Sequence, residues 1–174
     1  MGLYRYRDDF ERTRPTINDQ DLRTGLGITY RYFRGDPLYK YGHGESFTTF
    51  AYGWSPTPQR TMSTTTAGAG FNVSIAVSNT GSVVSDVVVL VFGSLAGSND
   101  CPLRTLMGFE RLAAVRVGAK VGVGIYIDPR TLGCVNDAGV RTLPAGSLSL
   151  EAGDIASPAT HNMTLTGRDL VMPA

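Results

Sequence analysis

The sequence predicts an all-β fold, and three observations carry that prediction. From Phe71 onward, apolar and polar residues alternate with a period of two, most cleanly in FNVSIAVSN and VGVGIYID. Turn signals built from Gly, Asn, Asp and Pro recur roughly every 8–12 residues. No segment sustains a helical period. About seven short strands punctuated in this way form the pattern of an immunoglobulin/fibronectin type III-like sandwich. Here an extended N-terminal arm precedes it.

Taken in order, residues 1–26 are polar and mixed in charge, and Arg14-Pro15 stops any helix arriving from upstream. This is the arm. Residues 27–54 are an aromatic junction segment. Within it Ile28–Phe33 alternates as a short strand would, Gly35-Asp36-Pro37 is a turn, Tyr39–Ser46 is a glycine-bounded loop, and Phe47–Tyr52 is a second strand candidate. Residues 55–70, SPTPQRTMSTTTAGAG, have the composition of a linker. Residues 71–174 are the sandwich. FNVSIAVSN is a strand and Asn79-Thr80-Gly81 a turn. VVSDVVVLVFG is apolar enough to be central. Leu103–Val115 is a strand with a bend or bulge at Gly108. In VGVGIYID, Val121, Val123, Ile125 and Ile127 share one face. VNDAGVRTL turns at Ala138-Gly139, and SLSLEAG and HNMTLTG are the last strands.

Composition excludes several classes. The net charge is +1, from 16 basic and 15 acidic residues, with no basic cluster, so neither nucleic acid nor an anionic membrane is an expected partner. The most apolar run, Val83–Ala96, is too short to span a bilayer and contains Asp86. The opening MGLYRYRDDFER lacks the apolar core of a signal peptide. Cys101 and Cys134 are either two buried thiols or a disulfide, and a disulfide requires an oxidising compartment. Two sequons, Asn72-Val73-Ser74 and Asn162-Met163-Thr164, point to the same compartment and make Asn72 and Asn162 candidate N-glycosylation sites. Asn72 is the better of the two, because its alternation with Phe71, Val73, Ile75 and Val77 turns it to solvent.

Particular stretches resemble one family. GITYRYFRGDPLYKYGHGESFTTF, over residues 27–50, is similar to the junction segment near the C-terminus of family 3 glycoside hydrolases, the β-glucosidase and β-xylosidase group. VSIAVSNTGSVVSDVVVLVF, PLRTLMGFERL, VRVGAKVGVGIYID and LPAGSLSLEAGD follow in the order and spacing of that family's fibronectin type III-like domain. DDFERTRPTINDQDLR resembles the run that precedes the junction in the eukaryotic xylosidase-like branch. The chain departs from the pattern at Glu45, where the family has an apolar residue, at Tyr41 in place of Phe, and at Leu26-Gly27 in place of Pro-Gly. A carboxylate at a buried docking position would be costly.

The resemblance implies an enzyme's accessory domain without the enzyme. The family cleaves glycosides with two carboxylates, both in regions upstream of the matching segment, and no catalytic residue is expected in this chain. Nor is a cofactor or metal site expected, since two His and two dispersed Cys give no zinc spacing. His43 and Glu45 lie two apart in a loop and read as junction residues bonded to backbone. His161, beside a sequon, is expected to be exposed. Arg34-Gly35-Asp36 spells an adhesion tripeptide, but so short a match carries little information.

Aromatic residues are unevenly placed. Of 16, only Phe71, Phe92, Phe109 and Tyr126 lie beyond Trp54. The others either fold onto the sandwich or seek a partner. Tyr30, Tyr32, Phe33, Tyr39, Tyr41, His43, Glu45, Phe47, Phe50 and Trp54 are therefore the interface candidates. The expected partners are the catalytic domains of a glycoside hydrolase or further copies of this chain. The leading expectation is a non-catalytic extracellular domain that stabilises or orients catalytic domains. The alternative is a stand-alone structural module that self-associates through its aromatic segment. Sugar binding through Trp54 and nearby tyrosines is a third reading and lacks an aromatic platform.

Overall fold

The computed structural model describes residue 27, residues 29–96 and residues 100–172. The chain forms two compact units, 1–41 and 42–174. The extended arm expected over 1–26 lies outside the described residues.

In the first unit the expected strand is instead a single helical turn, α1 (Thr29–Tyr32). Phe33 N–H donates to Thr29 O at 2.9 Å. Arg31 N–H donates to Thr29 Oγ1 at 3.4 Å. Four residues are too few for a period of two to be told from 3.6. The rings of Tyr30 and Tyr41 stack, with centroids 4.0 Å apart. Leu38, Tyr39 and Tyr41 are exposed.

Among the described residues, the second unit is all-β apart from two four-residue helices. Its strands are β1 (Phe50–Trp54), β2 (Thr61–Ser63), β3 (Phe71–Asn79), β4 (Ser85–Leu95), β5 (Thr105–Val115) and β6 (Lys120–Ile127). They continue with β7 (Cys134–Val135), β8 (Arg141–Leu143), β9 (Gly146–Ala152), β10 (Ala159–Thr166) and β11 (Leu170–Val171). The helices are α2 (Thr64–Ala67) and α3 (Pro129–Leu132). A three-stranded sheet has the order β1-β3-β6, a five-stranded sheet β2-β10-β9-β4-β5, and a small third sheet β11-β8-β7. Every pairing is antiparallel except β2 with β10. The described strands thus exceed the expected number. The additions β2, β7, β8 and β11 are two or three residues long, too short to show any alternation.

The alternation sorts side chains as the sequence implies. Val73, Ile75 and Val77 of β3 and Val123, Ile125 and Ile127 of β6 share one core with Val89, Val91, Leu148, Leu150, Met163 and Leu165 of the five-stranded sheet. Each fully buried side chain of this size contributes about 1.5–3 kcal/mol. Phe50, Tyr52 and Trp54 of β1 pack against the same core.

Two bulges shape the β4–β5 ladder. Ser85 pairs with Val115 but Val87 with Leu112, leaving an extra residue opposite Asp86. Ala114 takes φ +50° there, and the Asp86 carboxylate accepts its N–H at 2.7 Å while pairing with Arg111. These bonds hold the Asp86 carboxyl below its usual range. Asp86 is therefore no intruder in an apolar run; it fixes a bend. The second bulge places Met107 between the pairs Val91–Gly108 and Phe92–Leu106, one residue from the expected Gly108.

The stretch 55–70 is not an inert connection. β2 adds to the sheet edge beside β10. Ser63 caps α2, its Oγ accepting from Thr66 N–H at 3.0 Å. Ala67 is fully buried, and Thr64 Oγ1 donates to Arg168 O at 2.7 Å. Small residues and hydroxyls dock here through hydrogen bonds together with burial of Ala67 and packing of Met62 against the core, and composition does not register that.

One buried amide joins the ends of several strands. Asn79 is 2% exposed. Its Nδ2 donates to Val83 O at 2.8 Å and Val115 O at 2.9 Å. Its Oδ1 accepts from Thr48 Oγ1 at 2.9 Å and Gly81 N–H at 3.1 Å. Cys101, in the β4–β5 connection, is bonded to Cys134 at the start of β7, closing a loop of 33 residues.

Three outcomes are expected. Asn79→Ala and the volume-conserving Asn79→Asp each orphan the Val83 and Val115 carbonyls, at a cost of about 2–4 kcal/mol. Urea unfolding checks this, and a loss below about 1 kcal/mol contradicts it. Replacing Cys101 and Cys134 together by Ala releases the loop and lowers stability by about 2–4 kcal/mol in the same measurement. Asp128 caps α3, and hydrogen bonds from the Arg130 side chain and backbone hold its pKa to about 2. A depressed carboxyl pKa stabilises the fold above the usual carboxylate range, and that contribution fades as pH falls toward the folded value. An NMR titration should place Asp128 near that value, and Arg130→Ala should return it upward.

Candidate functional site

The site is built on residues 42–54, within the second unit. Gly42 begins it, with φ +87°. A Cβ there would lie 2.7 Å from Ile155 Cδ1 and 2.9 Å from Leu90 Cδ1. The backbone therefore lies close to the outer face of β4; the nearby side-chain ends could shift to admit a Cβ, and it is the positive φ that calls for glycine. Beside it the Arg104 guanidinium sits 3.8 Å above the Phe92 ring and pairs with Glu151 at 2.7 Å. The ion pair roofs Phe92, which is buried although it points outward from the sheet.

The other end of the loop is tied at Thr48 and Thr49. Thr48 Oγ1 reaches the Asn79 amide, and Thr49 Oγ1 lies 2.9 Å from Thr80 Oγ1. Thr80 N–H donates to Thr49 O at 2.9 Å. Between the two anchors His43, Gly44, Glu45 and Ser46 are exposed, and Phe47 is 94% exposed. Glu45 thus carries no desolvation cost in this chain.

The interface candidates separate on this geometry. His43, Glu45 and Phe47 stand in the open loop. Phe50 and Trp54 do not: they are half-buried in β1 and pack against the core, because β1 pairs with β3 and turns Phe50, Tyr52 and Trp54 inward. Tyr52 covers Gly153, and burial, with Asp154 adding, raises its pKa. Tyr30, Tyr32, Phe33, Tyr39 and Tyr41 belong to the first unit.

His161 corrects the sequence expectation. It is 8% exposed, with Nε2 3.3 Å from Gln59 O and its ring edge-on to Trp54 at 6.3 Å. The residue sits on the inward phase of β10, with Met163 and Leu165, and the HNMTL alternation contained that signal. Trp54 is thus half-buried, packed against the core and edge-on to His161.

Five carboxylates hold local structure. Asp86, Asp128 and Glu151 pair with arginines. Asp154 accepts from Ala156 N–H at 2.9 Å and Asp169 from Ala145 N–H at 3.0 Å. Among the described residues, no three His, Cys, Asp or Glu side chains gather as a metal site. No helix among them is long and apolar enough to cross a membrane.

Known proteins share this fold over part of their length. No family model matches the chain. A probable exo-1,4-β-xylosidase of Aspergillus terreus is 30% identical over 165 residues, which is 90% of this chain and 21% of that protein. An exo-1,4-β-xylosidase of Emericella nidulans is 33% identical over 130 residues, 66% of this chain and 17% of that protein. Among solved structures, a GH3 exo-β-xylosidase in complex with a xylobiose aziridine probe superposes with a TM-score of 0.81 at 23% identity, over 95% of this chain and 24% of that one. A β-glucosidase of Kluyveromyces marxianus in complex with glucose gives 0.70 at 22% identity, over 89% and 18%. The chain therefore has the fold of a limited part of these hydrolases, and spans about a fifth of the length of the curated relatives it matches.

Proposed function

We propose that this chain is a non-catalytic, fibronectin type III-like accessory module of a β-xylosidase- or β-glucosidase-like protein, and that it stabilises or orients catalytic domains outside the cell. The observation that carries this reading is the loop 43–47. It is pinned at Gly42 and at Thr48, and it holds Phe47 almost wholly in water. An apolar side chain presented from a loop tied at both ends fits a docking anchor. It lies in the segment that resembles the hydrolase junction. The partial coverage of the xylosidases supports a module, and the structural roles of five carboxylates support a role outside the chemistry. The Cys101–Cys134 bond supports an oxidising compartment. On this reading residues 71–174 are the sandwich proper, with β1 and β2 added to its sheets.

The same exposed Phe47 favours a second reading, self-association of the chain through its aromatic segment. Native mass of the material from its source, with every component identified, separates the two. Linkage to, or binding by, a larger hydrolase polypeptide supports the accessory module. A homo-oligomer of this chain alone supports the second reading and removes the first. In either assembly Phe47→Ser is expected to cost about 2 kcal/mol or more, roughly 30-fold in Kd. It should leave the stability of the isolated chain within about 0.5 kcal/mol. Unchanged association would remove Phe47 as the anchor.

A further inference from the structure

The described asparagines divide by what their amides do. Asn79 makes the four bonds given above. Asn136 accepts from Ala138 N–H at 3.1 Å and Val140 N–H at 2.9 Å, closing the β7–β8 turn. Asn72 and Asn162 are exposed, and their side-chain amides have no hydrogen-bond partner among the described residues. These two are the asparagines that begin sequons.

Strand geometry explains the placement. Val73 and Met163, the middle residues of the two sequons, are 3% and 2% exposed. With the middle residue in the core, the asparagine and the hydroxyl residue on either side must both point outward. Asn72 stands on the outer face of the three-stranded sheet, opposite Tyr126 in register. Along that face follow Ser74 and Ala76, facing Gly124 and Gly122. A Cβ at either glycine would meet nothing within 4 Å. The face is low and open, and the exposed ring of Tyr126 offers an apolar surface at its edge. Asn162 stands on the outer face of the five-stranded sheet, opposite Ser149 and between the exposed Thr160 and Thr164. Nothing apolar is covered by a group attached there.

We propose that Asn72 and Asn162 are both N-glycosylation sites, each taking an oligosaccharide from a polyprenyl diphosphate donor. The asparagine Nδ2 forms a bond to C1 of the first sugar as the bond from C1 to the diphosphate oxygen breaks. The polyprenyl diphosphate leaves with the bonding pair, and one Nδ2 proton passes to a base of the transferase. No electrons are exchanged with an oxidant or reductant. The sugars then project from opposite outer faces, one from each sheet, and the inward side chains of β3 and β10 are untouched. The proposal rests on the extracellular reading, because the donor is met on the secretory route.

The test is secretion of the full chain from a eukaryotic host behind an added leader, with thiol counting and peptide mass mapping before and after enzymatic deglycosylation. The expected result is a closed Cys101–Cys134 bond and two discrete losses of mass on deglycosylation, with aspartate appearing at positions 72 and 162. Asn72→Gln and Ser74→Ala should each remove one of the two steps, and Asn162→Gln and Thr164→Ala the other. A chain secreted with its disulfide closed but without sugar at either asparagine overturns the proposal and leaves the extracellular reading standing. A chain retained inside the cell with free thiols overturns both.

Discussion

A single buried amide sets the geometry on which the rest of this end of the β-structure depends. Asn79 lies at the last position of β3, where the strand period turns it inward. It is left without water and must find four partners or carry a penalty. It finds them on separate pieces of chain: the turn after β3, the segment leading into β4, the end of β5, and Thr48. Its backbone adds two more ties to the β5–β6 turn, donating to Ala119 O at 3.1 Å and accepting from Gly118 N–H at 3.0 Å. Apolar burial holds the sheets against each other without direction. The amide is directional, and so it specifies which turn stands beside which.

That constraint reaches the candidate site through Thr48. A loop anchored at one end would sweep a large volume, and ordering it on binding would cost side-chain and backbone entropy. The loop 43–47 is anchored at both ends, by a hydroxyl on Asn79 and by Gly42 against Leu90 and Ile155. Its two anchors sit on different elements of the second unit, the end of β3 and the outer face of β4. Phe47 is therefore held out on a short, restrained tether, which lowers the entropy to be overcome when it is covered.

Much of this was legible in the sequence where side chains alternate over a full strand. FNVSIAVSN is β3 residue for residue, and the apolar set Val121, Val123, Ile125 and Ile127 lies on one face of β6 as expected. The bulge near Gly108 was legible to within one residue. Where the signal failed, it failed for stated reasons. Four residues around Tyr30 fit a strand and a helical turn equally. The Thr-rich stretch 61–67 folds through hydroxyl bonds and small-residue burial, which leave no hydrophobic pattern. His161 is buried because it shares the inward phase of β10 with Met163 and Leu165, and a neighbouring sequon carries no information about that phase. Aromatic density says nothing about which face of a strand a ring occupies, so the packing of Phe50 and Trp54 against the core was not legible from it. Register decides that, and register follows from β3.

The departure at Glu45 illustrates how far local context governs such readings. At a buried contact a carboxylate would either be desolvated at a cost of several kcal/mol or be driven to its neutral form. In the loop as it stands the side chain is exposed to water. The apolar content of the loop is carried by Phe47, two residues on. An interface using this loop therefore has its hydrophobic anchor and its charge two residues apart on the same exposed tether. Such a surface favours a partner with an apolar pocket rimmed by cationic or hydrogen-bonding groups, because a purely apolar partner would strand the Glu45 carboxylate. The same pairing disfavours close face-to-face stacking of two identical loops, which would bring two Glu45 carboxylates together. Charge placement at this one position thus weights the choice of partner against a symmetric contact between copies and toward a dissimilar surface.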